Sequence, residues 1–452
     1  MSSLLRRTPA ALLAAAFLVV SAGAATQPAL KFTDTRLKNG LRVIVNEDHV
    51  APVFAVAVVY DVGSRNERPG RTGFAHLFEH MMFKGSGNVG PGEHFYTVFS
   101  SGGVMNGTTS KERTLYFEEL PSNQLDMALF LEADRMRSLA ITRANLDNQR
   151  QAVEEERRQS LDNQAYARTR EAFDDLAFDN AAYKHSVIGS MEDLNAASVD
   201  DVASFFKTYY APNNAILSIS GDVNTAAAME KVHKYFDAIP SQPAPPAVDI
   251  TQDPQTTERR LTVEDPLARL PRLDVGYRIP SSLSPDDDAF DVLVQVLSGG
   301  RSSRLYESLV RDQQIAVQVT AGTEESRGPR LFRIIAAPTP GRTIEDLEAA
   351  LYAEIERVKE GPIADWEIEK ARNAGRRQIV GEATRSLQRA VLLAEAALVY
   401  GDPAIVNTRF DRLAKFNAAD VQRVAKQFLV ATNRTVIVTQ PKKSAAPKGG
   451  AR

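Results

Sequence analysis

The spacing of hydrophobic residues divides the first half of the chain into strand-like and helix-like runs. An Asn-Gly turn at 39–40 precedes residues 41–45, where apolar and polar positions alternate as they do in a strand with one buried face. Residues 53–62 and 114–121 are more continuously apolar. Runs of this kind predict two further strands that are buried more completely.

Two long stretches with helical spacing, residues 126–139 and 146–161, follow these strands. Because strand runs and helix runs are segregated, we predict an α+β fold in which a mostly antiparallel sheet is covered by helices. The chain has 452 residues, of which 43% are hydrophobic. This is enough apolar material for two cores of about 200 residues each.

A predicted helix, turn and strand occur twice, 219 positions apart. The first copy begins at Val199 and the second at Ala418, and Asn214 and Asn433 occupy the same place in each copy. We therefore interpret the chain as two homologous domains. Residues 238–257 contain five prolines and little periodicity, which is typical of a linker. The predicted divisions are an N-terminal domain at 25–240, a linker at 241–258, a C-terminal domain at 259–441 and a disordered tail at 442–452.

The first 24 residues have the features of a secretory signal peptide. Two arginines precede a short apolar run at 10–20, and Ala22-Gly23-Ala24 offers a cleavage site. We expect export, to the bacterial periplasm. No other stretch approaches eighteen consecutive apolar residues, so we predict that the mature chain has no transmembrane span.

Composition argues against several classes of function. The sequence contains no cysteine, which excludes disulfides, thiolate catalysis and cysteine-ligated metal. The formal net charge is only −3, which argues against nucleic acid as a partner. The glycine-rich residues 298–304 lack the strand and the lysine of a phosphate-binding loop, and we interpret them as a turn.

The segment from Gly70 to Gly85 contains two of the six histidines of the chain. Its apolar residues recur with helical spacing and form one stripe, which consists of Phe74, Leu77, Phe78, Met81 and Met82. The spacing predicts a helix that ends near Gly85. His76, Glu79 and His80 form a second stripe, because positions i, i+3 and i+4 project from the same side of a helix.

Two imidazoles at i and i+4 can both ligate one zinc ion, and the glutamate between them can take a proton from a bound water. The alternative is that Glu79 and a histidine simply pair at the edge of a core helix. A zinc site needs a third protein ligand. On the helix at 146–161, Glu154 and Glu156 both flank the buried stripe and Glu155 points away from it. Periodicity does not separate Glu154 from Glu156, and a solvated acidic face is the alternative interpretation of both.

The sequence from His76 to His80 resembles the inverted zinc-binding motif of the pitrilysin/insulinase metallopeptidases, which include the mitochondrial processing peptidases. In that family a glutamate about 76 positions beyond the second histidine is the third ligand, which implies Glu156. The resemblance also implies one Zn²⁺ per chain and Glu79 as the general base. Gln149 stands where some relatives carry a second carboxylate.

The resemblance also concerns the substrate. The segment 102–117 is similar to the part of the family that offers an exposed strand edge to an extended peptide. It implies that Asn106 and Gly107 bind substrate. The alternative is a turn followed by a core strand. We therefore expect a zinc-dependent metalloendopeptidase that hydrolyses extended or unfolded peptides.

In the second half, the motif positions align with Val292, Gln295 and Val296. This half therefore resembles a copy that kept the fold and lost the metal. The family builds its chamber from four such domains, and this chain supplies two of them, a half-chamber. An arginine and a tyrosine that orient the substrate align with Val310 and Val317.

Neither valine can donate a hydrogen bond from its side chain. We therefore expect a heterodimer with a related chain that carries the arginine and tyrosine. Three alternatives remain: a self-sufficient homodimer, a non-catalytic assembly subunit with a structural zinc, and an exported binding module in which the histidines and acids merely pair.

Overall fold

Each half of the chain builds one sheet in the computed structural model, which describes residues 29–442. The predicted signal peptide lies outside the described residues, and so does all of the predicted tail except Lys442. The strands of the first sheet are β1 (Thr33–Arg36), β2 (Arg42–Glu47), β3 (Val53–Tyr60), β4 (Val104–Thr109), β5 (Thr114–Pro121) and β6 (Ala215–Gly221). Those of the second sheet are β7 (Arg259–Asp265), β8 (Arg272–Ile279), β9 (Ala316–Thr323), β10 (Arg330–Pro338) and β11 (Arg434–Pro441).

Helices make up most of the remaining structure. The first half contains α1 (Phe74–Met81), α2 (Glu93–Ser100), α3 (Leu125–Ser138), α4 (Arg143–Arg157), α5 (Ala167–Ala177), α6 (Ala181–Lys184), α7 (Met191–Asn195), α8 (Val199–Tyr209) and α9 (Thr225–Phe236). The second half contains α10 (Asp287–Ser298), α11 (Ile344–Glu360), α12 (Asp365–Glu382), α13 (Ser386–Val399), α14 (Arg409–Lys415) and α15 (Ala418–Phe428). A π-helical turn at Arg158–Asp162 extends α4, so the helical run predicted at 146–161 is α4 with this extension.

The two sheets have the same strand order. The first is β1-β2-β6-β3-β5-β4 and the second is β7-β11-β8-β10-β9, so within residues 29–442 the second sheet lacks only a counterpart of β1. In both, the neighbours β2–β6 and β7–β11 are parallel and the other described pairs are antiparallel. This confirms the predicted α+β fold with two related halves and mostly antiparallel sheets.

The duplication extends to individual side chains. Asn214 donates from its amide to the carbonyl oxygens of Tyr209 and Asp61, at 2.8 and 3.2 Å. Its counterpart Asn433 donates to the carbonyl oxygens of Phe428 and Arg278, both at 2.8 Å. Each asparagine therefore satisfies the end of one helix and ties it to the C-terminal end of a central strand, which accounts for an amide at this position of both copies.

Each half also covers the sheet of the other. Helix α13, from the second half, packs its alanines and leucines on β3 and β6 of the first sheet. Helix α5, from the first half, packs on β7 and β11 of the second sheet through residues such as Phe173. The opposite face of the first sheet is covered by helices of its own half, among them α1, α3 and α9. Exchange of helices makes the two halves parts of one packed structure.

Strand β4 stands at the end of the first sheet. Its side chains alternate between exposed and buried positions, with Met105 and Gly107 buried. Among residues 29–442, no single helix is long and apolar enough to cross a bilayer. One bent pair, α13 with residues 403–415, meets that test by length and composition, with an angle of 111° between its members.

Candidate metal centre

Helix α1 carries the two histidines and is fixed by its apolar stripe. Phe74, Leu77, Phe78 and Met81 are buried in the core of the first half, and burial of each such side chain contributes about 1.5–3 kcal/mol. The second stripe faces the other way, as its spacing predicts. The helix ends at Met81, four residues before the predicted end at Gly85, and a turn bonded from Lys84 to the carbonyl of Met81 follows it.

Glu67 holds the beginning of α1. Its carboxylate accepts hydrogen bonds from the backbone N–H groups of Gly73 and Ala75, at 2.9 and 2.8 Å. These are two of the donors that a helix leaves unpaired at its first turn. Burial raises the pKa of Glu67, and the backbone donors oppose that rise. The sequence analysis missed this residue, because a single glutamate before a helix has no periodic signal.

The structure brings together the three predicted metal ligands. One ligand atom each from His76, His80 and Glu156 lie within 4.8 Å of one another. The Nε2 atom of His76 lies 3.6 Å from Oε1 of Glu156, and Nε2 of His80 lies 3.2 Å from Oε2. The helices α1 and α4 that carry these residues are in contact. Ligands from two helices therefore converge on one point.

The neighbouring glutamates of α4 lie elsewhere. Glu155 is 55% exposed and pairs with Arg158 at 3.1 Å, as expected for a residue that points away from the buried stripe. Glu154 accepts a hydrogen bond from Arg158 at 3.4 Å and is not a member of the converging group. Of the two candidates that periodicity left open, the tertiary contact with α1 selects Glu156.

The protonation states at this point suit a metal. Burial and the neighbouring His80 lower the pKa of His76 to about 4. A hydrogen bond from His80 lowers the pKa of Glu156 below its ordinary value. A metal ion requires neutral imidazole and ionised carboxylate. Two imidazoles and one carboxylate are also a donor set of catalytic zinc, which keeps a fourth position open. The residues therefore fit a zinc ion.

Glu79 lies beside this group, in a tight environment. It is 9% exposed, and burial raises its pKa although a hydrogen bond from Thr109 opposes the rise. The Thr109 hydroxyl donates to Oε2 of Glu79 at 2.6 Å. A Cβ atom at Gly107 would lie 2.9 Å from Cγ of Glu79, so only glycine leaves room for the carboxylate here. No sequence pattern indicates this role for Thr109, because the contact joins strand β4 to helix α1 over 30 positions of the chain.

The predicted substrate residues occupy opposite faces of β4. Asn106 is exposed, and its side-chain oxygen accepts a hydrogen bond from the N–H of Gly107 at 2.9 Å. Gly107 is buried against Glu79. Gly107 therefore faces the predicted base, whereas Asn106 points to the opposite, exposed face of the strand. Gln149 is buried, and its amide donates to Asn148 at 2.5 Å.

A second group of residues whose side chains could bind a metal lies deep in the protein. His94, Glu118 and Glu132 are fully buried, with Nε2 of His94 2.6 Å from Oε1 of Glu118. Burial raises the pKa of both glutamates to about 7 and lowers that of His94 to about 3. Arg135, also buried, donates to Glu132 at 3.0 Å. The guanidinium already supplies the positive charge that a metal would bring, so this group is a buried polar network.

Comparison with known families agrees with this geometry. A model described as insulinase, peptidase family M16, matches residues 42–190, and a model described as the peptidase M16 inactive domain matches residues 196–374. The chain belongs to peptidase family M16. The matched ranges place the histidine motif in the first model and Val292 and Val296 in the second.

Similar proteins extend over nearly the whole chain. A zinc protease from Helicobacter pylori, PqqE, is 31% identical over 414 residues, which cover 91% of this chain and 93% of that protein. A probable mitochondrial-processing peptidase subunit beta from Arabidopsis thaliana is 24% identical, over 87% of this chain and 76% of its own length. The crystal structure of a protease from Helicobacter pylori superposes with a TM-score of 0.87, at 30% identity, over 91% of this chain and all of that one. The chain is a member of a family of zinc proteases.

Proposed function

We propose that this chain is an exported zinc metalloendopeptidase that hydrolyses extended or unfolded peptides and binds one Zn²⁺. The observation that carries the proposal is the convergence of His76, His80 and Glu156, with Glu79 beside them. A structural zinc site needs ligands but no further carboxylate. The buried Glu79 therefore favours a catalytic centre over the assembly subunit and the binding module.

The mechanism assigns a task to each side chain. His76, His80 and Glu156 would hold the metal. A zinc ion, when bound, lowers the pKa of a water to about 7 and polarises a carbonyl group. Glu79 takes the proton of the attacking water and can pass it to the leaving amine. Its raised pKa makes it a better base than an ordinary exposed glutamate, which supports this role.

The substrate would lie along β4. This strand ends the first sheet, so its outer edge is available for a peptide to add as a further strand. Asn106 is exposed on this strand. Backbone hydrogen bonds along an edge supply affinity for extended chains with little dependence on sequence, which agrees with an unfolded substrate.

The second half carries no polar clamp at the expected positions. Val310 packs partly against the second core and Val317 is 47% exposed on β9. Arg311, one residue along, is exposed and paired with Glu307 and Asp312. We therefore propose a heterodimer with a related chain that supplies an arginine and a tyrosine. The purified single chain should turn over an unfolded peptide far more slowly than about 1 per second, and a rate at or above that value would contradict the heterodimer.

The decisive experiment compares the wild type with Glu79→Gln. Both proteins are analysed for zinc and incubated with an unfolded protein substrate, in the presence of the related chain if one is required. We expect one zinc per chain in both and hydrolysis only in the wild type. Cleavage by Glu79→Gln at the wild-type rate would remove the general-base assignment. Absence of zinc from both would favour the binding module.

Export has its own test. The full chain, produced in a Gram-negative host, is expected in the periplasmic fraction with Ala25 as its first residue, since cleavage is predicted after Ala24. Retention of the complete sequence in the cytoplasmic fraction would contradict export. This result does not bear on the metal centre.

A further inference from the structure

The turn between β4 and β5, residues 110–113, directly follows Thr109, the residue that contacts Glu79. Thr109 precedes this turn and donates its hydroxyl to Glu79. The turn is closed by a hydrogen bond from the N–H of Ser110 to the carbonyl of Arg113, at 2.9 Å. The position of the hydroxyl therefore depends on the position of the turn.

The second half of the chain holds this turn through Glu112. The carboxylate of Glu112 accepts hydrogen bonds from the Ser326 hydroxyl at 2.9 Å and from Nε of Arg327 at 3.0 Å. Arg327 also donates to the backbone carbonyl of Glu112 at 3.1 Å. Ser326 and Arg327 lie in the loop between β9 and β10, the hairpin that corresponds to β4 and β5. The two equivalent hairpin ends thus meet.

The contact is a neutral group of two arginines and two acids. Arg327 donates to both carboxylate oxygens of Asp61, at 3.0 and 2.5 Å, and Arg65 pairs with Glu112 at 2.6 Å. Burial alone would raise the pKa of Glu112, but Arg65, the Tyr183 hydroxyl and Arg327 lower it. Glu112 and Arg65 are less than 10% exposed. Removal of Arg327 would leave two acids against the single arginine Arg65, a net negative charge in a mostly buried group, so the turn would have to move or take up water.

The rest of the turn is held as well. Arg113 donates to the Thr108 carbonyl and hydroxyl and pairs with Glu395, which is on helix α13 of the second half. Lys111 pairs with Asp174 on α5 at 2.8 Å. Two of the three charged residues of the turn, Glu112 and Arg113, therefore bond to the second half.

We propose that Arg327 is a positioning residue for the reaction. It holds the β4–β5 turn through Glu112, and the turn holds the Thr109 hydroxyl against Glu79, so that the carboxylate stays in the orientation that the attacking water requires. The inference rests on the proposed role of Glu79 as the base. It gives the half without metal ligands a defined part in catalysis.

The first test concerns the hydroxyl. Thr109→Val keeps the shape of the side chain and removes the donor, whereas Thr109→Ser keeps the donor. A hydrogen bond to a charged group is stronger than one between neutral groups. We expect Thr109→Val to lower kcat by about tenfold or more, with KM and zinc content unchanged, and Thr109→Ser to retain most of kcat. A wild-type kcat for Thr109→Val would overturn the proposal.

The second test compares two arginines that both link the halves, Arg327 with a side chain 15% exposed and Arg389 at 5%. Arg389, on α13, bonds to Asn46 and Ser220 of the first half at 3.1 Å each and has no bond to the turn. Arg327→Met and Arg389→Met should both lower the thermal midpoint. At a temperature where both are folded, only Arg327→Met should lower kcat. The double variant Arg327→Met/Thr109→Val should lose no more kcat than Thr109→Val alone, because both act through one contact.

Hydrogen exchange separates this inference from the proposed function. In zinc-free protein, the amides of residues 109–113 should exchange faster in Arg327→Met than in Arg389→Met. Faster exchange with an unchanged kcat would refute positioning and leave the peptidase assignment intact. Equal losses of kcat in both arginine variants would also refute it, since they would reflect general loosening. An active Glu79→Gln would instead refute the base assignment on which the inference rests.

Discussion

Helices α1 and α10 occupy equivalent places in the two halves but bury different surfaces. In α1, His76 and His80 are partly exposed beside the core, with Glu156 of α4 opposite them. In α10, the aligned Val292 and Val296 are 1% exposed and belong to the core of the second half. The fold tolerates either solution, because only the other apolar stripe of the helix is needed to fix it on its sheet.

The difference teaches that metal binding is separable from the scaffold. The strand order and the asparagine contacts are the same in both halves. One half nevertheless has a converging group of ligand residues, and the other has two buried valines in its place. In the second half, the positions aligned with the ligands hold valines that are buried in the core.

The largest effect is expected from the metal ligands. His76→Ala, His80→Ala and Glu156→Gln should each lower zinc affinity by more than about 100-fold, because even residues that only support ligands alter it by 10 to 100-fold. Dialysis against a graded chelator followed by zinc analysis measures the change. Glu155→Gln is the matched control and should keep its zinc. Metal retained by Glu156→Gln but lost from Glu154→Gln would show that the wrong acid has been assigned.

Introducing the histidine motif at the aligned positions of the second half should destabilise that half without creating a zinc site. The triple variant Val292→His/Gln295→Glu/Val296→His buries two imidazoles among apolar side chains, at a cost of about 1–3 kcal/mol for each unsatisfied group. We expect the free energy of unfolding in denaturant to fall by several kcal/mol and the zinc content to stay at one per chain. The control Val292→Ala/Val296→Ala loses volume but buries no polar group. A second zinc in the triple variant would contradict the comparison.

A smaller effect is expected where α1 begins. Glu67→Gln keeps the shape of the side chain but replaces one of the two oxygens that accept the N–H groups of Gly73 and Ala75 by an amide donor. Zinc affinity should fall by about tenfold, because the ligands are held less firmly. Glu93→Gln is the control, since Glu93 bonds to Gly90 near the start of α2. Equal zinc affinities for the two variants would show that the first turn of α1 does not set the site.

The smallest effect should be the same in both halves. Asn214→Ala and Asn433→Ala each remove an amide that donates to two carbonyl groups. Each should lower the free energy of unfolding by about 1–2 kcal/mol, measured by urea titration of the two variants side by side. Values that differ by more than about 1 kcal/mol would mean that the repeated contacts are not energetically equivalent.

The sequence predicted the helix that carries the two candidate histidine ligands. The apolar stripe of α1 and the spacing of His76, Glu79 and His80 follow from one helix, and the structure places them as the period requires. The third ligand is different. Glu154 and Glu156 flank the stripe of α4 on either side, so choosing between them needs the position of α4 relative to α1. The family resemblance supplied Glu156, and the contact between the helices agrees with it.

The supporting residues were beyond sequence reasoning. Glu67, Thr109 and Arg327 are single polar residues with no periodic pattern, and each acts through a partner that lies far away in the chain or on another element. The exchange of α5 and α13 between the sheets was likewise not predicted. An apolar helix pattern shows that one face will be buried but does not say which sheet it will cover.

The sequence by itself determined the duplicated α+β architecture, the two-histidine helix and the absence of ligands in its second copy. These features depend on local periodicity and on residue identity, which the chain states directly. Only the tertiary structure decided which turn touches Glu79 and how the second half reaches it through Arg327. These two contacts join residues separated by 30 and 215 positions, and their formation depends on the packing of whole sheets rather than on any local pattern.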